Sequence, residues 1–248
     1  MRLPILLLAV GCTLLSGCMS SPGGPEYQWD PTVVRDYLPV LVGGLQLTLF
    51  LTVTSLAGGL AFGLVVAMVR VGKVWVLNPI AIAYIEFVRA TPLLIQLVWI
   101  YYSLPIILNI QIPSLWAAVI GLTLNLGAFA AEAFRSGLRA IPRDQIDAAD
   151  VLGLRYLQRM QYVVVPQAFR IIFPVLISLS VTAFKDTALV STLGIADLMY
   201  QGQTVASQTY RPLEILSAVA LIYFVIAFPF TTLSRRLEVH MARHLRTG

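Results

Sequence analysis

The sequence predicts an all-α integral membrane protein with five core transmembrane helices, and three observations lead there. Hydrophobic residues make up 58% of the 248-residue chain and charged residues only 12%. Mean hydropathy is +0.82, far above that of an ordinary soluble domain. Apolar stretches recur that are long enough to cross the hydrocarbon layer, which takes about 20 helical residues. The lysines and arginines that set the net charge at +5 fall in the gaps between those stretches, not in one stripe. The basic excess therefore reads as membrane topology, and no nucleic-acid partner is expected.

Residues 3–17 form a short apolar run behind Arg2 that ends in Leu15-Ser16-Gly17-Cys18 and a Ser/Gly-rich stretch. A charged start, short apolar core and small residues match a secretory signal. Residues 1–24 are thus expected to be a signal-like segment, cleaved or retained. Leu-Ser-Gly-Cys also resembles a bacterial lipobox, which would make Cys18 a lipidation site. Residues 25–37, with Trp29 and Tyr37 among prolines and charges, read as a periplasmic lead-in at the membrane interface.

Residues 38–69 are almost wholly apolar and longer than a span requires, which predicts a tilted or extended helix. Gly43, Gly44, Gly58, Gly59 and Gly63 stand where helices can approach closely. Thr48, Thr52 and Thr54 either line a path or bond their own backbone. Further on, Glu86 and Arg89 lie three apart on one helical face and can pair at the membrane boundary. Pro92 pushes Thr91 out of the helical region, so a break is expected there, with either a gating role or that of a helix start.

Residues 93–108 then span, carrying Gln96, with Trp99, Tyr101 and Tyr102 towards the far interface. Residues 114–134 return, and Asn125 near mid-span reads as helix–helix glue or as part of a solute path. Residues 169–186 make the next span, kinked or started by Pro174, with Thr182, Lys185 and Asp186 towards its outer end. Ionisable groups there are functional or mutually neutralised. Lys185 and Asp186 are neighbours in sequence and need not face one another. Residues 188–212 read as a short helix and outer loop, and 213–233 as the last span, closed by Arg235, Arg236, Arg243 and Arg246. With residues 25–37 outside, nearly all basic residues fall inside, and the reverse orientation violates this pattern.

Between the third and fourth spans lies a polar interruption, residues 135–166, with five arginines and three aspartates. Pro142 suits the first turn of a helix. Gly153 punctuates a run of good helix formers, which predicts two short helices meeting near it. Ala148-Ala149 and Gly153 leave a shallow surface that another backbone can approach, with Val151, Leu152, Leu154 and Leu157 around it. An apolar patch on a water-exposed loop marks a docking site.

Here the sequence resembles a known family. Asp147-Ala148-Ala149, three residues, Gly153, nine residues, then Val163-x-Val165-Pro166 is similar to the E-A-A–x3–G–x9–I-x-L-P coupling loop of ABC importer permeases. Tyr84-x-Glu86-x-x-Arg89-x-Thr91-Pro92-Leu93-x-x-Gln96 resembles the Y-x-E-x-x-R-x-T/I-P-L-x-x-Q motif of their polar amino-acid branch. Lys185-Asp186-Thr187-Ala188-Leu189-Val190-x-x-Leu193-Gly194 resembles that branch's K-D/N-T-S-L-V-x-x-I-G block.

The resemblance implies an ABC transporter transmembrane domain over residues 38–240, followed by a basic tail at 241–248. It implies an alternating-access path in the bacterial inner membrane, with the C-terminus cytoplasmic. It assigns Asp147, Ala148, Ala149, Gly153 and Pro166 to ATPase coupling, and Glu86, Arg89, Thr91 and Pro92 to the gating boundary. Gln96, Asn125, Thr182, Lys185 and Asp186, polar or ionisable groups within the spans, are the pathway candidates. The implied partners are a cytoplasmic ATPase dimer, a second permease subunit, identical or paralogous, a periplasmic solute-binding protein and membrane lipid.

ATP and Mg are expected on the ATPase, because Gly72-Lys73 lacks the preceding glycine and following hydroxyl of a phosphate-binding loop. Glu238, His240 and His244 make an incomplete zinc set, so no metal is expected. A stand-alone secondary transporter or channel is the rival reading, in which the Ala-Ala loop serves topology alone. A membrane enzyme would need a catalytic cluster, and no Ser/His/Asp set is present.

Overall fold

The structure is a computed structural model that describes residues 27–72 and 74–246, with side-chain surroundings through residue 237. The signal-like segment and Cys18 lie outside the described residues. From Thr32 onward the chain forms one folded unit, separate from the segment that ends at Pro31. Its described residues build helices joined by short turns, without a strand.

Helix α1 is Thr32–Gly72, α2 Leu77–Ala90 and α3 Leu93–Leu108. Helix α4 is Ser114–Arg139 and α5 Arg143–Val151. The composite α6 runs Tyr156–Leu193, with a π-helical stretch at Met160–Val164 and a 3-10 end at Thr187–Leu193. Helix α7 is Leu198–Thr209 and α8 Pro212–Arg246. Among the described residues, α1, α4, α6 and α8 can each cross a membrane by length and composition; α2 and α3, bent by 111° at their junction, meet the same test only as a pair, as a broken span or a re-entrant loop.

Two boundaries differ from the sequence expectation. Helix α1 begins at Thr32, so Arg35, Asp36 and Tyr37 of the expected lead-in are helical. At about 1.5 Å per residue it is on the order of 60 Å long, twice the hydrocarbon thickness, and its ends must project beyond it. The expected span 93–108 is only one arm of a bent pair, because the turn at Thr91-Pro92 splits the apolar run.

Small residues set the packing. Helix α4 buries Ala117, Ala118, Gly121, Ala128, Ala130 and Ala131, and α1 lies along that face. A Cβ on Gly63 would stand 2.7 Å from the Ala130 Cβ and 2.8 Å from the Gly127 carbonyl oxygen. Gly44, Gly58 and Gly59 are also in close contact, whereas Gly43 faces open space. Thr48, Thr52 and Thr54 all donate to carbonyls four residues back in α1. Their hydroxyls satisfy the helix backbone, the second of the two roles expected for them.

Candidate functional site

The polar interruption forms an elbow. Pro142, with ψ 142, precedes α5, and Asp144 in the first turn favours the positive helix end. Helix α5 stops because Gly153 takes φ +73, a left-handed conformation that glycine adopts without strain. The terminal carbonyls are then satisfied by the Gly153 N–H on Asp150 (3.0 Å) and the Leu154 N–H on Ala149 (3.1 Å). Arg159 donates to both oxygens of Asp150, one at 2.7 Å, and so ties the following helix to α5.

This frame leaves Val151 88%, Leu152 77% and Leu157 75% exposed. Asp147, Ala148 and Pro166 are exposed as well, and among the described residues nothing lies within 4 Å of a Cβ on Gly153. Ala149 is buried beneath, so it seats α5 and does not present its own surface. Leu154 is half-buried. The elbow is thus a hydrogen-bonded knob whose outer surface is largely small and aliphatic groups.

The second feature is the break between α2 and α3. Pro92 has no N–H, so carbonyls at the end of α2 lose their helical donors. Gln96 replaces them: its two Nε2 protons are shared among Val88 O (2.8 Å), Thr91 O (3.1 Å) and Thr91 Oγ1 (2.7 Å). Asn125 of α4 donates to Gln96 Oε1 at 3.1 Å. Gln96 and Asn125 therefore form one amide bridge that holds the broken helix to α4. Among the described residues no ion pair joins Glu86 to Arg89; both are exposed, and the Arg89 guanidinium lies 5.6 Å from the Phe129 ring centroid.

A cavity of about 300 Å³ opens beside this bridge, lined by Ser55, Thr91, Asn125, Phe129, Thr182 and Asp186 among others. It sits where α1, the α2/α3 break, α4 and α6 meet. Lys185, by contrast, is exposed on a separate apolar groove with Met199, Val219 and Tyr223. The structure therefore gathers Asn125, Thr182, Asp186 and Thr91 in one place, with Gln96 bonded behind them and Lys185 turned away. Ser55 escaped the sequence reading because no motif contains it. Its signal was periodicity, since it follows Thr48 by seven residues and Thr52 by three on the buried face of α1. At the far end of α4, Glu132 bonds Arg135 and stands 3.9 Å from Arg70 of α1.

Residues 59–246 match the family described as the binding-protein-dependent transport system inner membrane component. The chain is 36% identical over 215 residues to the glutamine transport system permease protein GlnP of Escherichia coli (strain K12), covering 86% of this chain and 98% of that protein. It is 35% identical over 201 residues to the arginine transport system permease protein ArtQ of Bacillus subtilis (strain 168), covering 81% and 92%. The crystal structure of an amino acid ABC transporter with histidines superposes with a TM-score of 0.80 at 34% identity, over 86% of this chain and all of that one. The MetNI methionine ABC transporter, in an inward-facing conformation, shares the fold with a TM-score of 0.66 at 22% identity, over 83% and 98%. With its helical body of four to five candidate spans, exposed elbow and broken-helix cavity, the chain belongs to the binding-protein-dependent transport system inner membrane component family, as a permease subunit of the ABC importer type.

Proposed function

We propose that this permease carries a polar amino acid across the bacterial inner membrane, driven by a separate ATPase that docks on the α5–Gly153 elbow. The elbow carries the reading: three aliphatic side chains stand three-quarters or more exposed on a turn held by a buried Ala149 and the Asp150–Arg159 pair. A water-exposed apolar knob on a hydrogen-bonded frame suits a protein groove. A secondary transporter would have no need of it.

In this mechanism the ATPase dimer binds ATP and Mg²⁺ and closes, and the elbow passes that motion into α4 and α6, the helices it joins. A second permease subunit supplies the other half of the path, because one chain of five spans encloses only a small cavity. A periplasmic binding protein delivers the solute to the outer face, beside α7. The N-terminal end of α1 is outside and the C-terminal end of α8 inside. Thr91, Asn125, Thr182 and Asp186 line the solute's route, and the Thr91-Pro92 break, with Glu86 and Arg89 on its α2 arm, forms the gating boundary. The names of the related glutamine and arginine permeases support an amino-acid cargo.

The test is co-purification of the tagged chain from its native membrane, with mass spectrometry of what is retained. A nucleotide-binding subunit should accompany the wild type and be lost from Leu152→Arg. If the chain emerged alone and still moved amino acids in liposomes without ATP, the ATP-driven reading would be wrong.

A further inference from the structure

The cavity beside the α2/α3 break offers its solute hydrogen-bond acceptors almost exclusively. A hydroxyl has one proton, and each hydroxyl on this wall has spent it on its own helix. Ser55 donates to Leu51 O at 2.6 Å, Thr91 to Phe87 O at 2.9 Å and Thr182 to Ser178 O at 3.1 Å. Ser55 and Thr182 are left with lone pairs to offer, and Thr91, which also accepts from Gln96, keeps at most one. Asn125 spends an amide N–H on Gln96, which leaves its other N–H and its carbonyl oxygen.

Charge points the same way. The Asp186 carboxylate lines the cavity, and among the described residues no ion pair holds it. Among the described residues no Lys, Arg or His shares that wall. Arg89 reaches the Phe129 ring only, and Lys185, next in sequence to Asp186, lies on the separate groove with Met199 and Tyr223. The two residues line different surfaces, and Lys185 acts on Asp186 through space without sharing its wall.

We propose that this cavity selects the cationic end of its solute, so that the permease passes amino acids with a guanidinium or ammonium side chain in preference to acidic ones. The inference rests on the amino-acid reading above and narrows its substrate class. A guanidinium brings five donors to a wall of acceptors and a carboxylate, a charge-assisted match. An acidic side chain brings further acceptors and negative charge to the same wall, and its desolvation goes uncompensated.

The experiment uses the permease co-purified with its ATPase in nanodiscs without binding protein, and radiolabelled arginine, glutamine and glutamate as probes. Arginine should bind at least about tenfold more tightly than glutamate, the scale of one hydrogen bond to a charged group. Asp186→Asn should remove most of that preference, while Asp186→Glu, which keeps the charge, should retain it. Glutamate binding as tightly as arginine, or a preference unchanged in Asp186→Asn, overturns the inference. ATP-dependent uptake of the same three amino acids by the complete system separates the two readings. If none is taken up, the amino-acid assignment itself fails; if they are taken up and bound without regard to charge, only the cationic preference fails.

Discussion

Gly153 illustrates how one torsion angle shapes an exposed apolar surface. Its φ of +73 ends α5 and exposes Val151 and Leu152. Gly153→Ala meets no steric obstacle but must adopt a left-handed backbone, so it should cost about 1 kcal/mol, read as a lower Tm of the purified chain. Leu152→Arg disturbs no backbone and tests docking alone. Transport should fall to background while membrane insertion and Tm stay as in the wild type. Asp197 is the second instructive residue. It caps α7 by accepting the Tyr200 N–H at 2.9 Å, it is fully buried, and among the described residues its other oxygen has no hydrogen-bond partner. Burial pushes its carboxyl up from 3.8 to about 6. A folded-state pKa above the unfolded one means that the fold holds the proton more tightly. Stability should therefore fall as pH rises from about 4 to about 6 and stay at the lower level above that. Asp197→Asn keeps a cap acceptor without the charge, and should raise Tm more at pH 7.5 than at pH 5, with a gain of at most about 3 kcal/mol. An equal gain at both pH values would contradict the linkage.

At the scale of elements, the α2/α3 break persists because Gln96 supplies the donors that Pro92 removes. Gln96→Leu keeps the volume and deletes those donors, leaving carbonyls of Val88 and Thr91 without them. A destabilisation of about 1–3 kcal/mol is expected, with a smaller loss in Asn125→Leu, which leaves the Gln96 donors in place. Thermal unfolding of the two variants in detergent would show the order, and the reverse order would place the keystone in α4. The α1–α4 contact rests on small residues instead. Gly63→Val would drive a side chain into Ala130 and the Gly127 carbonyl, an overpacking cost of about 1–3 kcal/mol or more. The visible result should be loss of folded protein on size-exclusion chromatography.

The whole molecule shows large apolar side chains outward along α8, among them Leu221, Phe224, Val225 and Phe228. In water this would be a liability; in a bilayer it meets lipid or a neighbouring helix. The proposed orientation puts the α1–α2 turn inside and α7 outside. In a chain lacking Cys12 and Cys18, a membrane-impermeant maleimide should label Gln208→Cys in intact spheroplasts. Trp75→Cys, at a position 90% exposed, should react only after permeabilisation. The opposite pattern would invert the topology and move the elbow to the wrong side for an ATPase.

Helix class, the elbow with its Gly153 stop and the break at Pro92 were legible in the sequence, because each follows from local chemistry: apolar length, missing donors and left-handed glycine. Family membership was legible for a related reason, since motif spacing survives substitutions such as Asp147, Val163 and Val165. The tertiary structure alone decided where side chains point. Lys185 and Asp186 are adjacent in sequence, yet the helical rotation between them and the packing of α4 and α8 send them to different surfaces. Tertiary packing also brings Ser55 of α1 to the cavity, buries Ala149 under the proposed docking surface and joins Gln96 to Asn125, 29 residues on. Local rules set which groups the backbone needs. Only the three-dimensional contact of distant helices sets which groups remain free to meet a solute.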